Sequence, residues 1–339
     1  MRVWFNKTFS SVFAAIRLIR EADVAGDYEI FHTHTSTDAR PGLGAHHFAP
    51  EPKGLSGEHY LEWCLGFCQS NEIGIFIPGK EASLISGARA RFADIGTRVL
   101  SAGTPDMLAL LHDKARFCDT VDLPAAAPAQ FRVFENVAQF DEAYAELSKL
   151  HPILCIKPSE GVYALGFAVL DLKRNSTQLL LDGAMYRIGF DDFRRGLEAQ
   201  GSCRPMLLME FLGGAEYSVD CVADNGKLIC AVARRKSVDG SQGQTIVDDP
   251  LLKESTAKLA RAYGLNGNFN VQFREADGKP RLLEINPRMS GGIAMACLAG
   301  PNLPYLALRG FDRGFDGLPV PAIRAGIRVG DISTAVEYV

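Results

Sequence analysis

Residues 268–292, NFNVQFREADGKPRLLEINPRMSGG, constrain this chain more than any other segment. Asp277-Gly278 is a turn dipeptide between two apolar runs, so the segment reads as a β-hairpin. A three-residue loop at 277–279 places Gln272 opposite Glu284, and the period of two puts Glu284 and Asn286 on one face. In LLEIN two polar side chains interrupt an apolar strand, where burial without partners is costly. A carboxylate and two carboxamide oxygens of low total charge suit Mg²⁺ already carried by a polyphosphate. Arg288 and the N–H groups of Gly291-Gly292 follow directly and suit an anion.

Strand and helix alternate over the first hundred residues. RVWFN (2–6), YEIFHTH (28–34), IGIFIPG (73–79) and RVLSAG (98–103) read as strands. Ser10 or Ser11 caps a helix with Val12, Phe13, Ile16 and Ile19 on one face; residues 57–71 and 80–94 read as helices and 35–57 as a polar loop. Such alternation predicts a parallel sheet covered on both faces, with a ligand crevice near Asn6, Pro78 and Ala102. Thr104-Pro105-Asp106 opens a helix running through Lys114, and PAAAPAQ (124–130) reads as a linker. From about 131 the texture changes to strands, at 131–134, 152–158, 165–172, 177–182, 206–212, 215–223 and 227–236, with a helix at 251–263. The fold class is therefore α/β followed by α+β.

A chain of 339 residues, 47% hydrophobic, can bury two or three packed lobes. A net charge of -4 gives no sign of nucleic acid or membrane as partner. No apolar run reaches the roughly 18 residues of a membrane span. Lys7, Thr8, Ser10 and Ser11 interrupt the apolar start, which argues against a signal peptide. Eight cysteines lie mostly in apolar runs, as in ILCIK, which suits reduced thiols and a cytoplasmic location. There is no G-x-x-x-x-G-K-[ST] and no G-x-G-x-x-G after the first strand, which excludes a P-loop and leaves dinucleotide binding unsupported. His32, His34, His46 and His47 lack metal-binding spacing and read as loop residues facing an acceptor site.

FNVQF and LLEINPRMSGG together resemble the metal-binding hairpin of the ATP-grasp superfamily, with the nearest likeness to carboxylate–amine ligases and carbamoyl phosphate synthetase-type units. Other segments match in order along nearly the whole chain. ILCIKPSEG ends in Lys157, which matches the family's phosphate-binding lysine before a Gly-rich lid; the lid here, SEGVYALGF, is bulkier than usual. MLLMEFLGGAEYSVDCV resembles the adenine hinge, which implies adenine contacts from Glu210, Phe211 and Leu212 and a ribose contact from Glu216. LLHDKARF supplies Lys114 as a further phosphate lysine. Of the basic strand end Arg234, Arg235 and Lys236, Arg234 is the preferred contact for the transferred phosphate.

The resemblance implies an N-terminal Rossmann-like lobe (1–103), a central lobe (104–205) and a C-terminal lobe (206–339) that clamp ATP. It also implies Mg²⁺, with Mn²⁺ as an allowed substitute, held by Gln272, Glu284 and Asn286. A substrate carboxylate is activated as an acyl phosphate for an amine-type acceptor, with Arg234 serving the transferred phosphate and Arg288 the oxyanion of the tetrahedral intermediate. A homodimer is allowed for. A kinase on the same fold and a non-catalytic ATP sensor are the competing readings.

Overall fold

The structure is a computed structural model and describes residues 1–7, 11–36, 40–161, 165–237 and 243–332. β1 (Arg2–Phe5), β2 (Glu29–His34), β3 (His47–Pro50), β4 (Ile75–Ile77) and β5 (Arg98–Val99) form one sheet in the order β3-β2-β1-β4-β5. All its pairings are parallel, as the strand–helix alternation requires. Strand order reverses at β1, so ligand space is expected at its carboxyl end, beside Asn6.

The helices here are α1 (Ser11–Ala22), α2 (Gly57–Ser70), α3 (Ala82–Gly87) and α4 (Arg89–Asp94). α1 buries Val12, Ala15, Ile16 and Ile19. Phe13, expected on that face, is 39% exposed, because it lies about 100° around the helix from Val12. Ser10, one of the two expected caps, lies outside the described residues. The expected loop at 35–57 contains β3, a short edge strand paired with β2, and the expected helix 80–94 is two helices broken at Ala88.

α5 (Pro105–His112) starts where expected but does not run through Lys114. Asp113 accepts hydrogen bonds from the Ala115 and Arg116 amides and caps a new helix, α6 (Lys114–Thr120). The second sheet has the order β6-β10-β7-β8-β9, built from β6 (Phe131–Phe134), β7 (Leu154–Pro158), β8 (Ala168–Asp171), β9 (Arg187–Gly189) and β10 (Met206–Glu210). It thus takes β10 from beyond the expected boundary at 205/206. Its core joins Phe134, Leu154, Ile156 and Leu208 to Phe140 and Leu147 of α7 (Val137–Leu147). The expected strand 177–182 is instead α8 (Ser176–Leu181), started by a capping box between Asn175 and Gln178. α9 (Phe190–Gln200) adds Leu197 to the same core.

The third sheet has the order β15-β14-β11-β12-β13-β16. Its strands are β11 (Glu216–Asp224), β12 (Lys227–Lys236), β13 (Gln244–Val247), β14 (Gly267–Ala276), β15 (Lys279–Asn286) and β16 (Arg328–Val329). α10 (Pro250–Ala262), α11 (Ile293–Cys297) and α12 (Leu303–Arg313) accompany it. β14 and β15 are joined by two residues, not three: Asp277 (φ 50) and Gly278 (φ 72) both take the left-handed conformation that a tight hairpin turn needs.

The chain divides into two compact units, Met1–Ala109 with Ala215–Phe273 and Glu284–Val339, and Leu110–Gly214 with Arg274–Leu283. In the first unit Leu308 of α12 packs into the core of the parallel sheet with Val3, Phe5 and Ile16, and Met289 lies against the same cluster. Among the described residues no helix is long and apolar enough to cross a membrane.

Candidate functional site

In the second unit, Lys157 sits half-buried near the end of β7, opposite Leu207 of β10. No described residue forms an ion pair with its ammonium. One residue pair on, Ser159 ties this strand end to α6. Its Oγ donates to Asp113 Oδ1 at 2.5 Å, and its carbonyl accepts the Lys114 amide at 3.0 Å. Lys114 Nζ then reaches the Gly161 carbonyl at 2.8 Å. Two lysines expected to serve phosphate are thus brought to one strand end by a partly buried Ser–Asp contact. Of the bulky residues of the expected lid, Val162 and Tyr163 lie outside the described residues and Leu165 is exposed.

The hinge follows β10. The Glu210 carboxylate turns to Arg281, 3.2 Å away, and accepts the Gln130 amide at 3.4 Å. The Phe211 amide donates to the Ile153 carbonyl at 3.1 Å and the Glu210 amide to the Gln130 carbonyl at 3.0 Å, so both of these members of the expected adenine set have their N–H groups engaged in the sheet. Leu212 is 3% exposed and packs with Cys155, Val169 and Met209. Burial pushes the Cys155 thiol up to about 12, which keeps it protonated and inert.

The first unit carries the other candidates. Glu216, at the start of β11, pairs with Lys236 at 2.5 Å. Gln272 is half-buried on β14. At the end of β15 the polar side chains form a line: Asn286 Nδ2 donates to Glu284 Oε1 at 2.9 Å and Arg288 Nη2 donates to Asn286 Oδ1 at 3.3 Å. Glu284 and Asn286 therefore share a face, as the period of two requires. Among the described residues no three His, Cys, Asp or Glu side chains form a metal-holding group. The set Gln272, Glu284 and Asn286 has only one carboxylate, so its chemistry fits a hard cation that brings phosphate oxygens with it.

Arg234 departs from expectation. It is 2% exposed, with Nε and Nη2 donating to Asp220 Oδ2 at 2.9 and 2.8 Å. Nη2 also donates to Ser218 Oγ and Ser290 Oγ, each at 3.0 Å, and Nη1 to Gln244 Oε1. A guanidinium so enclosed is not presented to a phosphate; of the rest of the basic strand end, Arg235 is exposed and Lys236, its side chain 41% exposed, lies beside Glu216. Asp220, Ser218, Asn270 and Ser290 were missed by sequence reasoning. Asp220 carried a usable signal: a carboxylate between Val219 and Cys221 interrupts an apolar strand just as Glu284 does.

At the parallel sheet, Asn6 Oδ1 accepts the Gly79 amide at 2.6 Å and its Nδ2 donates to Tyr60 Oη at 3.0 Å. Three of the four histidines are bonded to the sheet rather than gathered on one loop. His32 is buried within β2 with Nδ1 3.0 Å from the Phe5 carbonyl, His46 accepts the Ile30 amide, and His47 pairs with Glu29.

Comparison with known proteins supplies the rest. Residues 202–335 match the family described as ATP-grasp in the biosynthetic pathway with Ter operon. Carnosine synthase 1 of Mus musculus is 32% identical over 134 residues, 34% of this chain and 16% of that one. The carbamoyl phosphate synthase large chain of Methanosarcina acetivorans is 23% identical over 222 residues, 61% of this chain and 19% of that one. The chain thus spans well under a third of the length of these relatives. Among solved structures, N5-carboxyaminoimidazole ribonucleotide synthetase in its ADP complex aligns with TM-score 0.66 and 14% identity over 96% of this chain and 80% of that one. The L-amino acid ligase from Bacillus licheniformis aligns with TM-score 0.63 and 14% identity, over 96% of this chain and 77% of that one. The chain has the ATP-grasp fold and carries an ATP-grasp domain homologous to those of carnosine synthase and the carbamoyl phosphate synthase large chain.

Proposed function

We propose that the protein is an ATP-dependent carboxylate–amine ligase, which activates a small-molecule carboxylate as an acyl phosphate for capture by an amine-type nucleophile, with release of ADP and phosphate. The observation that carries this reading is the hydrogen-bonded line Glu284–Asn286–Arg288, which leads directly into the Gly291-Gly292 turn. The relatives named above as synthases and a ligase support it.

In this reading Lys114 and Lys157 offset phosphate charge, and backbone groups of Glu210 and Leu212 recognise the adenine edge. Glu216 takes the ribose hydroxyls, with Lys236 beside it on the phosphate side. Gln272, Glu284 and Asn286 would hold Mg²⁺, or Mn²⁺ in its place; when bound, the cation neutralises charge on the phosphate oxygens. The substrate carboxylate attacks the γ-phosphorus in line, and positioning with charge neutralisation supplies most of the acceleration. When the amine adds to the acyl phosphate, Arg288 and the Gly291 amide hold the developing oxyanion, the Gly292 amide being taken by Ser290 Oγ. Phosphate then leaves and the C–N bond remains. Buried thiols at Cys64, Cys68, Cys155, Cys221 and Cys230 suit a reducing cytoplasm.

The test is a screen for ADP release with carboxylates alone and in carboxylate–amine pairs, with hydroxylamine as the trap. An acyl phosphate yields a hydroxamate under these conditions. A stable phosphate ester without hydroxamate would mean a kinase, and nucleotide binding without any ADP release would mean a sensor.

A further inference from the structure

Four side chains from three elements converge on Arg234. Asp220 and Ser218 come from β11, Gln244 from β13 and Ser290 from the turn after β15, and the Arg234 guanidinium bonds all of them. Asp220 is 0% exposed, and its second oxygen accepts Asn270 Nδ2 at 3.1 Å from β14. A buried ion pair contributes little net stability compared with an apolar pair of the same volume, so directional bonding is what this arrangement adds. Its one arm that leaves the sheet goes to Ser290. Ser290 Oγ in turn accepts the Gly292 amide at 3.2 Å. Gly292 itself lies flat against the guanidinium: an added Cβ would stand 2.5 Å from Nη1 and 2.7 Å from Cζ and Nη2.

We propose that Arg234 is a positioning residue. Charge-paired with Asp220, it fixes the Met289–Gly292 turn through Ser290 and Gly292, and so holds Arg288 and the two glycine amides in place. What that turn binds rests on the ligase reading; that Arg234 holds it does not. A lysine cannot substitute, because one ammonium cannot bond Asp220, Ser218, Gln244 and Ser290 from a single plane.

The experiment is amide hydrogen exchange on the full chain, read peptide by peptide, for Ser290→Ala and Arg234→Lys, with Mg·ATP affinity by calorimetry. Ser290→Ala should speed exchange in 288–293 at least about tenfold, with exchange in 154–158 unchanged. Mg·ATP affinity should stay within about twofold, because Arg234 does not reach phosphate. Arg234→Lys should do the same to the turn. With the carboxylate that releases most ADP from the unmodified protein, Ser290→Ala should lower kcat at least about tenfold while KM for ATP stays within about twofold. If the ligase reading fails, this last arm is lost and the exchange arm still decides. Unchanged exchange in 288–293 for Ser290→Ala overturns the proposal. So does an Arg234→Lys protein that binds Mg·ATP about tenfold more weakly with an unaltered turn, which would make Arg234 a phosphate contact. Should Arg234→Lys not fold, Ser290→Ala alone is decisive.

Discussion

Gly292 and Arg234 occupy the two sides of a contact that leaves no room for a methyl group, since a Cβ on Gly292 would come within 2.5 Å of Nη1. The backbone there (φ -99, ψ 18) is open to any residue, so close approach, not conformation, requires the glycine. Gly292→Ala should therefore destabilise by about 1–3 kcal/mol, the usual cost of overpacking. In an Arg234→Lys background, where the guanidinium is gone, the same change should cost at least about 0.5 kcal/mol less. Urea unfolding of the four proteins measures this. An equal cost in both backgrounds would show that the two residues do not meet.

Lys157 is half-buried near the end of β7, and no described residue forms an ion pair with it. Lys157→Ala should leave the fold intact and weaken Mg·ATP binding at least about tenfold, the scale of one charge-assisted contact. Lys114 should show a smaller loss, since its ammonium already bonds the Gly161 carbonyl. Calorimetry on both variants reads this directly, and wild-type affinity in Lys157→Ala would take that lysine out of the nucleotide site.

His32 should leave a mark on acid stability. Burial lowers it from the ordinary 6.5 to about 4, and its Nε2 has no hydrogen-bond partner among the described residues. The folded protein then stays unprotonated at His32 until about pH 4, while the unfolded chain takes a proton below 6.5. Stability is therefore lost as pH falls from 6.5 to about 4 and not further below that, by at most about 3 kcal/mol. His32→Gln can still donate to the Phe5 carbonyl but does not titrate. The stability difference between the two proteins should slope across that window. A flat difference would show that His32 is solvated in the native state.

What the sequence disclosed was local. The parallel sheet came from strand–helix alternation, and the shared face of Glu284 and Asn286 from the strand period; the 2.9 Å bond between them shows that face. The errors arose where a local pattern was ambiguous. Leu179, Leu180 and Leu181 look like a strand, yet only Leu179 is buried, and the capping box at Asn175 decides for helix. Asp113 was read as a helix interior residue although it caps the next helix. Arg234 was misassigned for a different reason: its partners Asp220 and Ser290 lie 14 and 56 residues away, and no spacing rule connects them.

Glu284→Gln should separate binding from chemistry. Glu284 is the one carboxylate among the three oxygen-bearing residues at the hairpin, and its Oε1 accepts the Asn286 amide. Glu284→Gln preserves the shape and removes the charge. The proposed site gives the nucleotide other holds, in the lysines and the hinge, so affinity for ATP should fall by no more than about tenfold. Turnover should fall much further, by about 10²-fold or more, because charge on the phosphate oxygens is greatest in the transition state and a neutral amide holds the cation less well. The loss should appear in kcat, and hydroxamate and ADP should disappear together. Asn286→Ala should act in the same direction but more weakly, since it removes a neutral ligand and frees Arg288 from one bond of 3.3 Å. If both variants turned over at the wild-type rate, the hairpin would be structural and the proposed chemistry would have to lie elsewhere. If Glu284→Gln lost ATP binding altogether, the cation would be needed to hold the nucleotide, and the division of labour between hairpin and lysines would be reversed.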